Sequence, residues 1–120
     1  MRIAIDLDGV ICPVKTPEQS YAALEPLPGA VDRIRELRRT GHYIIILTAR
    51  NMATCESNLG KVIRNVGKIT LDWLDRYGVE YDEIYFGKPN AEIYIDDRAV
   101  RFSALREITD DLDKREARSR

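Results

Sequence analysis

The chain is expected to fold as an α/β domain built on a parallel sheet, and three observations carry that expectation. Short apolar runs rich in β-branched and aromatic residues recur: Ile3-Ala4-Ile5, Tyr43-Ile44-Ile45-Ile46-Leu47, Ile84-Tyr85-Phe86 and Ile93-Tyr94-Ile95. Stretches with apolar residues at helical spacing separate the first three, and strands alternating with helices argue for parallel pairing through right-handed crossovers. Polar clusters stand where the strands should end: Asp6-Leu7-Asp8-Gly9-Val10, Thr48-Ala49-Arg50, Lys88-Pro89 after Gly87, and Asp96-Asp97-Arg98. Open parallel sheets bind ligands in the crevice beyond those strand ends.

The elements follow in order. Residues 2–7 read as a short buried strand, and residues 9–28, with prolines at 13, 17, 26 and 28, as a loop. Pro28-Gly29-Ala30 opens a helix whose stripe is Val31, Ile34 and Leu37, and Gly41 stops it as a left-handed cap would. Residues 43–47 form the second strand. After an irregular stretch at 49–58, Leu59, Val62, Ile63, Val66, Ile69, Trp73, Leu74 and Tyr77 recur at helical spacing. Gly60 and Gly67 each weaken that helix by about 1 kcal/mol, which leaves a kink or a division into two helices as an alternative. Gly78 ends it. Residues 83–86 are the third strand and 92–95 the fourth. The link between them is too short for a helical crossover. Residues 1–102 are thus the folded core. Residues 103–120, crowded with charge around Leu105, Ile108 and Leu112, read as a terminal helix or tail and not a second domain.

At 120 residues the chain is one domain. Its hydrophobic fraction of 44% and charged fraction of 32% are those of a soluble globular protein. A net charge of −1 supplies no general attraction to nucleic acid or an anionic membrane. No apolar run approaches the roughly 20 residues that span a bilayer, and no signal peptide is evident. Two cysteines, Cys12 and Cys55, fit a reduced cytoplasmic protein better than a disulfide framework. A cytoplasmic location is therefore expected, with neither membrane nor nucleic acid as partner.

The polar clusters would bring four carboxylates, a hydroxyl and an ammonium to one crevice. Carboxylates crowd together when a cation holds them, and a lysine beside them points to an anion. Asp6 and Asp8 precede a flexible glycine. Asp96 and Asp97 form a second acidic pair, and together the two pairs suit Mg²⁺ with phosphate oxygens. Thr48 closes the most apolar strand, and Arg50 is a candidate for bidentate binding of a substrate anion. Gly87 and Pro89 place Lys88 in a tight turn. Metal plus anion points to phosphoryl chemistry.

In that order (Asp6-x-Asp8-Gly9-Val10, Thr48, Lys88, Asp96-Asp97) the sequence resembles the haloacid dehalogenase-like superfamily in its phosphatase branch, over residues 2 to about 102. The resemblance implies a three-layer, Rossmann-like parallel sheet with helices on both faces. It implies Asp6 as the nucleophile forming an aspartyl-phosphate, and Asp8 as the acid and then the base. Thr48 would bind the phosphoryl group and Lys88 would steady it. Mg²⁺ would be held by Asp6, the Asp8 backbone carbonyl, and Asp96 and Asp97, with Asp97 the direct ligand of that pair.

Asp8 to Thr48 and Thr48 to Lys88 are each forty residues apart, which leaves no room for a cap domain. The chain resembles a minimal, capless member. Capless relatives often assemble so that neighbours complete the site, so a homo-oligomer is expected. The stretches 5–12, 67–71 and 81–89 resemble small phosphatases of capsule or surface-polysaccharide biosynthesis. That implies a small phosphorylated sugar or polyol as substrate. Two readings stand beside it: a nucleotide or polynucleotide-end phosphatase, and a non-catalytic binding module on the same fold.

Overall fold

In a computed structural model, residues 1–103 and Leu105 are described. Three strands, β1 (Arg2–Asp6), β2 (Tyr43–Thr48) and β3 (Glu83–Phe86), form a parallel sheet in the order β1-β2-β3. The register pairs Ile5 with Ile46, and Ile46 with Ile84. Helix α1 (Ala30–Arg39) links β1 to β2, and α2 (Leu59–Tyr77) links β2 to β3.

Alternation sets which side of the sheet is dry. Ile44, Ile46 and Thr48 are buried on one face, and Ile5 joins them through its register. Ile34 and Leu37 from α1 and Trp73 and Leu74 from α2 share a core cluster with these isoleucines. Both helices therefore cover the same face. The opposite face carries Tyr43, Tyr85, Arg2 and Glu83, with Arg2 paired to Glu83 and stacked on Tyr43. The expected helices on both faces are thus not found among the described residues. Handedness is the reason: two right-handed crossovers stepping the same way across a sheet lay their helices on the same side.

α2 is one continuous helix of 19 residues, so the alternative of a division at its glycines falls away. Gly67 lies on its buried side, where an added Cβ would come within 3.2 Å of the Ile63 side chain. The helix opens on Asn58, whose side chain accepts the Lys61 N–H, and closes on Gly78 at φ 67°. It also pins the proline-bearing loop: Trp73 Nε1 donates to the Leu24 carbonyl at 2.7 Å and Arg76 donates to the Ala22 carbonyl at 2.6 Å.

The fourth expected strand does not form. Residues 92–95 are irregular, and Ile93 and Ile95 stand 73% and 93% exposed. A parallel strand needs a crossover of about a dozen residues back to the starting end of the strands, and only residues 87–91 are available for one. Of the expected terminal helix, all but residue 103 and Leu105 lies outside the described residues. Leu105 packs against the core cluster.

Asp82 ties the bottom of the sheet together. Its carboxylate accepts the Ile44 N–H at 2.8 Å and pairs with Arg38 at 2.9 Å. Those bonds, the backbone one foremost, hold its pKa below the ordinary 3.8. The stability they contribute is present above that ordinary value and is lost as pH falls through the lowered native one. Asp82→Asn is expected to lower the thermal midpoint at neutral pH. The difference from the parent should close as pH falls below 3.8, as followed by circular dichroism.

Candidate active site

Asp6 is the last residue of β1, and Asp8 begins a tight loop held by the Leu7 carbonyl, which accepts the Ile11 and Cys12 N–H groups at 2.9 and 3.1 Å. Gly9, at φ 89°, lets that loop turn, and its N–H donates to the Cys12 carbonyl. Thr48 ends β2, and its carbonyl accepts the Lys88 N–H at 3.1 Å. That bond draws the turn after β3 toward the acidic loop.

Four of the expected residues converge. Lys88 Nζ lies 3.3 Å from Asp6 Oδ2, while Asp6 Oδ1 accepts the Leu7 N–H at 3.1 Å. Burial pushes the Asp6 carboxyl up, and the adjacent Lys88 ammonium works against that push. Thr48 Oγ1 donates to Asp8 Oδ2 at 3.1 Å and accepts the Arg50 N–H. The Thr48 hydroxyl, expected at the phosphoryl group, is thus fully buried and engaged with Asp8.

Arg50 departs further from expectation. Its guanidinium is turned inward and not toward a substrate crevice, with the residue only 3% exposed. Nε reaches both Asp8 oxygens at 3.0 and 3.1 Å, and Nη2 lies 3.0 Å from Oδ1. Nη1 donates to Thr70 Oγ1 at 3.1 Å, Nη2 to Cys12 Sγ at 3.5 Å, and the Tyr21 ring stacks at 4.1 Å. A buried charge persists only when it is paired and its donors are satisfied, and these partners meet both needs.

Thr70, Tyr21 and Cys12 were not expected at the site. Only Thr70 carried a sequence signal: it is the one polar residue on the α2 stripe between Val66 and Trp73. Asp96 and Asp97 do not join the other acids. Both are exposed, and Asp96 accepts the Arg98 N–H in its own turn. Among the described residues no group of three His, Cys, Asp or Glu side chains is placed to hold a metal ion. The segment that carries them does touch the site: Lys88 Nζ sits 4.2 Å over the Tyr94 ring, and the Tyr94 hydroxyl donates to the Pro89 carbonyl.

No helix among the described residues is long and apolar enough to cross a membrane. No protein-family model matches the chain, and no curated protein matches it either. Among solved structures, an MCSG target from Vibrio cholerae is 35% identical over 99% of this chain and 98% of that one, with a TM-score of 0.84. A chain of the Pnkp1/Rnl/Hen1 complex is 18% identical, with a TM-score of 0.50 over 78% of this chain and 30% of that one. This second likeness speaks to the fold alone. A D,D-heptose 1.7-bisphosphate phosphatase from B. bronchiseptica, complexed with magnesium and phosphate, aligns at 19% identity and a TM-score of 0.49 over 97% of this chain and 63% of that one. That likeness is too distant to bear on this chain's chemistry.

Two outcomes are expected from this geometry. Arg50→Met should cost about 2–3 kcal/mol in chemical denaturation, less than for a fully enclosed pair because Asp8 keeps some solvent contact. Burial pushes the Cys12 thiol up to about 12, so at pH 8 its thiolate fraction is on the order of 10⁻⁴. A thiol reagent should therefore label Cys55 in the native protein and Cys12 only after unfolding, as read by mass spectrometry.

Proposed function

We propose that this chain, which belongs to the same family as the Vibrio cholerae protein, is a phosphomonoester hydrolase of the haloacid dehalogenase-like type working through an aspartyl-phosphate on Asp6. One observation carries the reading: Asp6, held by Lys88 at 3.3 Å, stands at a strand end two residues from Asp8, which Thr48 and Arg50 fix in one orientation.

In this reading an Asp6 oxygen attacks phosphorus and the bond to the leaving alcohol breaks. Asp8 delivers the proton to that alkoxide. It then takes a proton from the water that cleaves the aspartyl-phosphate, so Asp6 is regenerated and phosphate released. Lys88 balances charge on Asp6 and on the transferring group. Thr48 and Arg50 act through Asp8, and Lys88 is the cation beside the nucleophile.

The donor set suits Mg²⁺, a hard ion commonly held by one or two carboxylates together with waters and phosphate oxygens. Asp6 and the Asp8 backbone carbonyl supply such oxygens. When bound, the ion would neutralise phosphoryl oxygens as the dianionic ester approaches the two acids. The substrate we propose is a small phosphorylated sugar or polyol of polysaccharide biosynthesis, on the strength of the stretches 5–12, 67–71 and 81–89. A cytoplasmic setting suits the two unpaired cysteines.

Hydrolysis of p-nitrophenyl phosphate is expected with Mg²⁺ and not with chelator. Asp6→Asn should reduce it at least about a thousandfold, and hydroxylamine should trap an acyl-phosphate at Asp6. A panel of sugar phosphates, nucleoside monophosphates and 3′-phosphorylated oligonucleotides tests the substrate class, with the highest kcat/KM expected on a sugar phosphate. Turnover of none of these esters would favour the non-catalytic binding module.

A further inference from the structure

Among the described residues the outer sides of both β1 and β3 are unpaired, and the strand-like residues 92–95 pair with neither. Tyr43 N–H donates to the Met1 carbonyl and Leu7 N–H to the Leu47 carbonyl, so the odd-numbered residues of β1 turn their backbone groups toward β2. Arg2, Ala4 and Asp6 therefore turn theirs the other way. Among the described residues no strand pairs there, and Arg2 and Ala4 are exposed. An open parallel edge of this kind is a template for another strand. Meanwhile Ile93, Tyr94 and Ile95 stand 73%, 47% and 93% exposed, immediately before Asp96 and Asp97.

The segment cannot reach its own β1 edge in parallel. Three strand spacings separate β3 from that position, about 14 Å, and the chain must also return about 13 Å to the opposite end of the sheet. Residues 86 to 92 extend at most about 21 Å. The direct line of about 19 Å runs through the sheet itself, and any detour over a face exceeds the reach. A second copy has no such constraint, since its segment approaches the edge from outside.

We propose that two copies of this chain exchange residues 92–95, each adding them as a parallel strand to the free edge of its partner's β1. Ile93 and Ile95 then share one face of the extended sheet and Tyr94 the other. The exchange is reciprocal, as an isologous dimer requires. Leu105, which packs beside Val10 and Leu27 here, leaves a seat that its counterpart from the second copy takes. The added strand reverses the direction in which the sheet grows from β1 and so makes the strand ends at Asp6 a switch point, where α/β sheets hold ligands. It also delivers Asp96 and Asp97 from one copy to the end of the sheet where the other copy's Asp6 stands. The exchange itself does not depend on the proposed hydrolase, but the role of these delivered acids at a metal rests on that reading.

Analytical ultracentrifugation at micromolar concentration, with hydrogen exchange of individual amides, tests the exchange without any assay of activity. The expected result is a dimer in which the Ala4 and Asp6 amides are protected at least tenfold. Ile93→Asp with Ile95→Asp should give a monomer of unchanged circular dichroism that has lost this protection. A wild-type monomer, or a dimer that survives both substitutions, overturns the exchange. A complementation experiment then addresses the site: Asp6→Asn and Asp97→Asn chains are co-refolded. Exchange leaves one intact site in each mixed dimer, so about a quarter of wild-type activity should return. Failure to return, in a protein whose dimer and parent activity are established, overturns the sharing of acids. Inactivity of the wild type overturns the hydrolase and leaves the exchange standing on sedimentation and amide protection.

Discussion

The Arg50–Asp8 ion pair is the constraint on which the rest of the site depends. A guanidinium only 3% exposed needs a counter-charge and partners for its remaining donors. It draws these from three places: the loop after β1 gives Asp8 and Cys12, the proline-bearing loop gives Tyr21, and α2 gives Thr70. Satisfying one buried charge thus fixes how loop, strand ends and helix meet. Asp8 is oriented as a by-product, with Thr48 closing its other oxygen. Asp6, two residues away, pairs with Lys88 and accepts the Leu7 N–H.

Handedness makes the second constraint. Because β1, β2 and β3 follow each other across the sheet, both crossover helices fall on one face and a single core cluster joins them. The proline-bearing loop packs against the same side, tied by Trp73 and Arg76. The other face keeps polar and aromatic residues such as Arg2, Tyr43, Glu83 and Tyr85, linked to one another at the surface. A sheet that grows in one direction has no switch point within the described chain, and among the described residues the outer sides of both β1, beside Asp6, and β3 are unpaired.

Much of the fold was legible in advance. The apolar runs at 43–47 and 83–86 became β2 and β3, and the stripes Ile34-Leu37 and Val62-Val66-Trp73-Leu74 became the buried sides of α1 and α2. The convergence of Asp6, Asp8, Thr48 and Lys88 was legible too, since each sits at the end of a parallel strand or in the turn beyond it. Residues 92–95 were misread because their composition is that of a strand, while a parallel strand needs a longer crossover than residues 87–91 supply. Arg50 was read as a surface anion binder because nothing local in Thr-Ala-Arg reveals which way the side chain turns.

Local pattern alone determined where strands and helices lie and which acids stand at strand ends, because period and turn chemistry act over a few residues. Tertiary structure decided the inward turn of Arg50, the placing of both helices on one face and the lack, among the described residues, of a strand beside β1. Each of these depends on crossover handedness, chain reach or the pairing of a buried charge. Such constraints operate between segments far apart in the chain and leave no trace in the spacing of neighbours.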